Sequence, residues 1–232
     1  MKVAIIPARG GSKRIKRKNI KAFHGKPIIA WSIEAIKKSN IFEDVIVSTD
    51  DKEIAKISES CGASVPFMRP SDLSDDFTDT KSVICHAIDW LKENKTKPDF
   101  VCCVYPTSPL LIPEDLQRAS ELVEKFPESF ILPVCSYQYP INRALMLNEK
   151  GYLRPIKPGY IKERSQDIEE AYHDAGQFYF AKTELWLNKK NILENENIPL
   201  IISRLRSQDI DDIEDWILAE KLFEIDDINF KV

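Results

Sequence analysis

The chain of 232 residues lacks several signatures that would assign it to a common class. It contains no P-loop motif and no GxGxxG motif, so ATP hydrolysis and dinucleotide oxidoreduction both lose support. No apolar run approaches the roughly 18 residues that cross a bilayer. The apolar run at residues 3–6 is too short for a signal peptide and leads into arginine and lysine. These absences predict a cytoplasmic protein that has no membrane partner.

Cysteine clusters and a basic overall charge are missing as well. The five cysteines include no CxxC pair and no His/Cys cluster at metal-ligand spacing, so we interpret them as small buried residues in a reducing compartment. The formal net charge of -4 argues against a nucleic acid as the main partner. The composition, 43% hydrophobic and 30% charged, is typical of a globular protein with a sizeable core. We expect a single domain, residues 1–232.

Strand-like and helix-like segments alternate along most of the chain. Residues 2–6 and 99–105 are continuous apolar runs typical of central strands, and residues 27–39 and 79–94 have apolar side chains at helical spacing. Residues 63–67 are predicted as a further, short strand. The alternation predicts an α/β fold with a Rossmann-like, mostly parallel sheet flanked by helices. Ligands bind such sheets beyond the carboxyl ends of the strands.

The alternation breaks at residues 137–172, which we interpret as an inserted, small β-rich arm. The stretch has several prolines, two glycines and scattered basic residues, and it lacks a long periodic segment. Its apolar residues exceed what a free loop should expose. They are Tyr137, Tyr139, Ile141, Leu145, Met146 and Leu147.

The loop PARGGSKRIKRKN, residues 7–19, carries six cationic residues directly after the first predicted strand. Gly10 and Gly11 can adopt backbone conformations closed to other residues, so consecutive amides are expected to form an anion-binding nest. Arg9, Lys13 and Arg14 add charged contacts suited to phosphate oxygens. The alternative is a solvated basic loop. A polyphosphate bound without a P-loop motif indicates nucleotidyl transfer, in which a metal neutralises the departing pyrophosphate.

The acidic segment SQDIDD near the C-terminus offers ligands for that metal. Asp209 and Asp211 are two residues apart, so in extended backbone their side chains point the same way and make a fair magnesium site. The alternative is that these acids, together with Asp212, Glu214 and Asp215, cap the last helix. A third hypothesis combines the two, with Asp212 or its neighbours as caps and the two earlier aspartates as metal ligands.

Five segments in order resemble the CMP-sialic acid synthetase family, the cytidylyltransferases of nonulosonic acids. They are IIPARGGSKRIKRKNI, VIVSTDD, RPSDLSDDFTDT, YPTSPL and SQDIDDIEDW. The resemblance covers nearly the whole chain and implies the fold of nucleotide-diphospho-sugar transferases. It also implies CTP and a nonulosonic acid as substrates, Mg²⁺ as cofactor, and a homodimer in which residues 137–172 reach the partner subunit and help to bind the sugar.

Residues 163–180, ERSQDIEEAYHDAGQFYF, resemble the branch of this family that activates pseudaminic acid. Members that act on N-acetylneuraminate tend to have arginine, proline and asparagine where this chain has His173, Asp174 and Ala175, and glutamine at the position of Tyr105. The alternatives are the same reaction on N-acetylneuraminic acid, legionaminic acid or Kdo. A non-catalytic module that binds polyanions is a more remote alternative.

The resemblance also implies roles for individual residues. The residues expected to bind CTP are Arg9, Gly10, Gly11, Ser12, Lys13, Lys18, Asn19, Ser74, Thr78 and Thr80. Those expected to bind the sugar acid are Arg164, Arg143, Tyr105, His173, Asp174 and Gln177. Magnesium would be held by Asp209 and Asp211. Catalysis would depend on Arg9, Lys13 and Asp211.

Overall fold

The computed structural model describes residues 1–226 except 189 and 195. The strands are β1 (Lys2–Pro7), β2 (Ala22–Phe23), β3 (Lys26–Pro27), β4 (Asp44–Ser48), β5 (Phe100–Val104), β6 (Ile131–Ser136), β7 (Leu145–Leu147), β8 (Leu153–Pro155), β9 (Tyr172–Asp174), β10 (Phe178–Lys182) and β11 (Ile198–Ile201). The α-helices are α1 (Ile28–Ser39), α2 (Lys52–Ser60), α3 (Thr80–Asn94), α4 (Pro113–Lys125), α5 (Thr183–Leu187) and α6 (Ile213–Asp226).

One mixed sheet of seven strands has the order β11-β6-β10-β5-β1-β4, with β9 paired to β6. Strands β5, β1 and β4 pair in parallel, as do β11 and β6. Strand β10 is antiparallel to β5 and β6, and β9 is antiparallel to β6. Five of the seven strands therefore point the same way, and the prediction of a mostly parallel sheet is confirmed. The two antiparallel strands, β9 and β10, come after most of the arm. The arm begins at the edge of the sheet where β6 ends and brings the chain back to that same edge.

Strand β1 is buried on both faces, and its side chains alternate between two cores. Ala4 and Ile6 pack with apolar residues of α1 and α4. Val3 and Ile5 pack on the other face with residues of α3 and α5. The alternation follows from the two-residue period of a strand. The central strand is thereby held rigidly, and the basic loop starts from its carboxyl end.

A third apolar cluster joins distant parts of the chain beside that loop. Ile15 of the basic loop packs with Phe23, with Ile210 of the acidic segment and with Trp216 of α6. All four side chains are buried. Hydrophobic burial therefore holds the acidic segment against the basic loop, although nearly two hundred residues separate them.

The prediction of a strand at residues 63–67 is wrong. Two isolated parallel bridges form instead, between Ser64 and Ile46 and between Met68 and Thr49. Pro66 lies between them and has no amide hydrogen to donate, which accounts for the interrupted ladder. The helix predicted from residue 79 begins at Thr80, and the Asp79 side chain caps it by accepting from the Ser82 amide.

The arm contains the small two-stranded sheet β7-β8, in which Met146 is opposite Arg154. The six apolar residues that distinguish this stretch in the sequence are all exposed. Within the described residues, no helix has the length and apolar character needed to span a membrane. The arm as a dimer interface stays a prediction.

Candidate active site

The loops after β1, β4 and β5 meet at one edge of the sheet, as the parallel arrangement predicts. The Ala8 amide donates to the Ser48 carbonyl at 2.9 Å, and the Gly10 amide donates to the Asp50 carboxylate at 2.8 Å. Two cavities open here, of about 180 Å³ and about 600 Å³. Tyr105, directly after β5, lines both of them. We call them the small cavity and the large cavity.

The basic loop lines the small cavity, and a carboxylate neutralises its two leading cations. Arg9 lies 2.8 Å from the Asp76 carboxylate and also donates to the Asp75 carbonyl at 2.5 Å. Lys13 forms an ion pair with the same Asp76 carboxylate. The hydrogen bond from Lys13, followed by that from Arg9, lowers the pKa of Asp76. Asp76 thus lies where an anionic ligand of this loop would bind.

The two glycines of the loop differ in their surroundings. Both lie outside the left-handed backbone region. A side chain on Gly10 would place its Cβ 2.8 Å from an Asp51 carboxylate oxygen, whereas a Cβ on Gly11 would meet open space. The Ser12 amide donates to the Gly10 carbonyl at 3.0 Å and the Gly10 amide is taken by Asp50, so the expected nest of free amides is not formed. Close packing on Asp51 explains the requirement for glycine at position 10.

The second half of the loop is tied to the acidic segment. Lys18 donates to the Ile210 carbonyl at 2.5 Å, and Arg14 lies 2.5 Å from the Asp211 carboxylate. Burial lowers the pKa of Lys18, and the carboxylate of Asp211 opposes that shift. Buried Asn19 donates from its side chain to the Arg9 carbonyl at 2.9 Å. Lys18 and Asn19 therefore stabilise the shape of the loop.

In the acidic segment, the residues that cap helix α6 differ from the candidate metal ligands. The Asp212 carboxylate accepts from the amides of Glu214 and Asp215 at 2.9 and 3.1 Å. Asp215 accepts in return from the amides of Asp211 and Asp212 at 2.9 and 3.1 Å. This reciprocal arrangement is a capping box. The caps are therefore Asp212 and Asp215, and the carboxylates of the two earlier aspartates are left for another role.

Asp209 has the electrostatic surroundings of a cation ligand. Although the residue as a whole is exposed, desolvation of its carboxyl group raises the pKa, and the Asp211 carboxylate raises it further. A bound cation would relieve the repulsion between two such carboxylates. Among the described residues, however, no group of three or more His, Cys, Asp or Glu is placed to hold a metal ion.

Of Ser74, Thr78 and Thr80, which are expected to bind CTP, Thr80 lines the large cavity. Its hydroxyl lies 3.1 Å from that of Tyr105. The hydroxyls of Ser74 and Thr78 are engaged within their own loop, with the Pro70 carbonyl at 2.9 Å and the Asp75 carboxylate at 2.6 Å. These two contacts hold the loop that presents Asp76.

Tyr105 lines both cavities, Tyr179 lines the large one, and Asp174 lines neither but contacts Tyr179. The two tyrosine rings lie edge to face, 5.8 Å apart. The Tyr179 hydroxyl donates to the Asp174 carboxylate. Burial raises the pKa of both tyrosines, so they remain neutral hydrogen-bonding groups. Tyr105 and Asp174 were predicted from the sequence, and Tyr179 was not.

Two other residues expected to bind the sugar have contacts elsewhere. Gln177 is buried and lines neither cavity, and its side-chain amide donates to the Arg206 carbonyl at 2.5 Å. His173 contacts the Cys135 sulfur at 3.0 Å and packs on the Tyr137 ring.

The two arm arginines also lie outside both cavities of their own chain. Arg164 forms a 2.7 Å ion pair with Asp167, and Arg143 donates to the Ser165 hydroxyl at 3.0 Å. The large cavity instead contains Lys81, which donates to the Asn188 side chain at 2.9 Å. No motif marks Lys81 or Asn188 in the sequence, because tertiary packing alone brings them together.

A family model described as a cytidylyltransferase matches residues 3–149. The chain belongs to the cytidylyltransferase family. It is 41% identical to the pseudaminic acid cytidylyltransferase of Campylobacter jejuni over 223 residues, which are 96% of each chain. It is also 35% identical to the CMP-N,N'-diacetyllegionaminic acid synthase of Legionella pneumophila, again over 96% of each. These relatives confirm the resemblance inferred from the five sequence segments.

Solved structures of nucleotidyltransferases have the same fold. A CMP-2-keto-3-deoxy-manno-octonic acid synthetase complexed with CTP matches 97% of this chain and 99% of its own, with a TM-score of 0.70 and 14% identity. The 4-diphosphocytidyl-2C-methyl-D-erythritol synthase of Anaerococcus prevotii matches 96% and 98%, with a TM-score of 0.63 and 13% identity. At such low identity the likeness concerns the fold alone. It confirms the predicted α/β architecture for this family member.

The contrast between the two loop glycines gives a first prediction. Gly10→Ala should lower the free energy of unfolding by about 1–3 kcal/mol, because the new Cβ must displace Asp51. Gly11→Ala, the matched control, should change it by less than about 1 kcal/mol. Urea denaturation of the two variants measures the difference. Equal effects would show that the contact with Asp51 does not require glycine.

A second prediction concerns Asp76, the carboxylate that pairs with Arg9 and Lys13. Asp76→Asn should tighten CTP binding about two- to tenfold, because the triphosphate no longer competes with the Asp76 carboxylate for Arg9 and Lys13. Isothermal titration calorimetry without the sugar acid measures the affinity. Asp72→Asn, an exposed carboxylate on the same loop, is the control and should leave it unchanged. Unchanged or weaker CTP binding by Asp76→Asn would contradict the competition.

Proposed function

We propose that the protein transfers the cytidylyl group of CTP to pseudaminic acid, giving CMP-pseudaminic acid and pyrophosphate. The observation that carries this proposal is the likeness, over almost the whole chain, to relatives named for that activity. The geometry supports it for both substrates. The small cavity has the cations that a triphosphate needs, and the large cavity next to it has room for a sugar acid.

The nucleotide would bind with its phosphates in the small cavity. Arg9 presents a planar fork to phosphate oxygens, and Lys13 presents a mobile point charge. Both become available when Asp76 is displaced, since that carboxylate is their partner in the free protein. Arg14 would become available to phosphate as well, because its ion-pair partner Asp211 is one of the proposed metal ligands. The loop then exchanges carboxylate partners for phosphate partners.

The donors near this loop fit magnesium. Asp209 and Asp211 offer two carboxylates, and Mg²⁺ is commonly held by one or two carboxylates together with substrate phosphates and water. Burial raises the pKa of Asp209 and repulsion by the Asp211 carboxylate raises it further, and a bound cation would relieve that repulsion. When bound, the metal would supply charge neutralisation for the departing pyrophosphate.

In the proposed reaction, the anomeric hydroxyl of the sugar acid attacks the α-phosphorus of CTP. A bond forms between that oxygen and the α-phosphorus, and the bond to the bridging oxygen of pyrophosphate breaks. The hydroxyl proton passes to a carboxylate, a role we assign to Asp211. Arg9 and Lys13 stabilise the charge on the phosphates, so positioning and electrostatics account for most of the catalysis. Tyr105 lies where the two substrates meet, because it lines both cavities.

We further propose that the sugar carboxylate is bound by Arg164, assisted by Arg143, from the arm of a partner subunit. Both arginines lie on the exposed arm and outside the cavities of their own chain. The exposed apolar side chains of the same arm supply a surface that a second copy would bury. A guanidinium fork matches a carboxylate well. The active unit is then a homodimer formed through residues 137–172.

The substrate assignment predicts a ranking of sugar acids. With CTP and Mg²⁺, kcat/KM for pseudaminic acid should exceed that for N-acetylneuraminic acid, legionaminic acid and Kdo by about tenfold or more, since each differs in substituents that the proposed sugar site would distinguish. Pyrophosphate release measures the rates. A preference for one of the other acids would contradict the assignment of pseudaminic acid, and no turnover with any of them would favour a binding module.

The arm assignment predicts complementation between two inactive variants. Arg164→Ala and Asp209→Ala should each be nearly inactive alone. Mixed after subunit exchange, they should recover up to about a quarter of wild-type activity, because half of the random dimers contain one site in which both residues are intact. The control is each variant exchanged with itself. If both residues acted within one chain, the mixture would stay inactive.

A further inference from the structure

Three polar side chains are buried together behind the active site. Asp115 of α4 is 1% exposed, Arg206 is 9% exposed, and Gln177 is 3% exposed. None of them lines the small or the large cavity. Buried charges are costly unless they are paired and hydrogen-bonded, so this cluster calls for an explanation.

The cluster connects three separate elements of the fold. Arg206 forms an ion pair with Asp115, and a second Asp115 oxygen accepts from Arg118 at 3.4 Å. The Gln177 side chain donates to the Arg206 carbonyl at 2.5 Å. The Gln177 carbonyl accepts in turn from the Tyr105 amide at 2.9 Å. Both the side chain and the main chain of Arg206 are therefore fixed.

The segment that begins directly after Arg206 is residues 207–211, which carry the proposed metal ligands. Asp209 packs over Gly176, whose absent side chain would lie 3.6 Å from the Asp209 Cβ. Gly176 has a φ of +65°, a conformation that favours glycine. Residues 176 and 177 thus contact this segment and the Arg206 carbonyl that precedes it, and Asp115 pairs with the Arg206 side chain.

We propose that Asp115 and Arg206, with Gln177, are positioning residues that hold residues 207–211 against the basic loop. A buried ion pair is weak evidence for stability, because apolar replacements of similar volume often leave stability unchanged or raise it. A fixed geometry explains the pair better, since the proposed metal ligands lie three and five residues after Arg206. The catalytic part of this inference rests on the proposed function.

The test replaces both charges at once, in the full chain. Asp115→Leu with Arg206→Met keeps the volume buried and leaves no unpaired charge, so the melting temperature should stay within about 4 °C of wild type. Amide hydrogen exchange across residues 207–211 should become about tenfold faster, while exchange in α3 stays unchanged. The kcat for pyrophosphate release should fall about tenfold or more, with the KM for CTP within about threefold.

Controls keep the outcome decisive. Arg118→Met, which removes the exposed partner of the same Asp115 carboxylate, should match wild type in all three measurements. If the double variant does not fold, Gln177→Met removes the main-chain contact alone and carries the same expectations.

The inference would be overturned if a folded double variant had the hydrogen exchange and kcat of wild type. It would also be overturned if changes in kcat and KM appeared only in proportion to a lower melting temperature. If the wild-type protein shows no turnover with any sugar acid, the proposed function fails. Hydrogen exchange still tests the positioning in that case, because it needs no substrate.

Discussion

The contact between a cationic loop and carboxylates from three other segments is the interaction on which the rest of the site depends. Asp50, Asp76 and Asp211 each engage the loop after β1, at the Gly10 amide, at Arg9 and Lys13, and at Arg14. Clustered cations repel one another, and these acids offset that repulsion. A triphosphate has the charge to replace them. These carboxylates thus pair with the loop that is proposed to bind the phosphates of CTP.

This arrangement requires distant parts of the chain to be brought to one sheet edge. Strand β1 is buried between two cores and fixes the start of the loop. The cluster of Ile15 and Ile210 holds the acidic segment from one side, and the buried pair of Asp115 and Arg206 anchors it from the other. Hydrophobic burial supplies the contact in general, while the buried polar groups set the geometry. The proposed catalysis by positioning requires both.

Much of the fold follows from the sequence, because period and turn chemistry are local. Alternating strands and helices predicted the sheet, and the basic loop and Tyr105 lie at its carboxyl edge as expected. The antiparallel direction of β10 was not predictable, since it depends on where the arm returns the chain. Tyr179 and Lys81 were missed because tertiary packing places them in the large cavity. The glycine requirement at position 10 depends on contact with a residue far along the chain.

The basic loop is proposed to exchange its carboxylates for the phosphates of CTP. A crystal structure of the protein with CTP tests this most directly. We expect phosphate oxygens within hydrogen-bonding distance of Arg9 and Lys13, and the Asp76 carboxylate displaced from both. A nucleotide bound elsewhere, or bound while Asp76 still pairs with the two cations, would contradict the account.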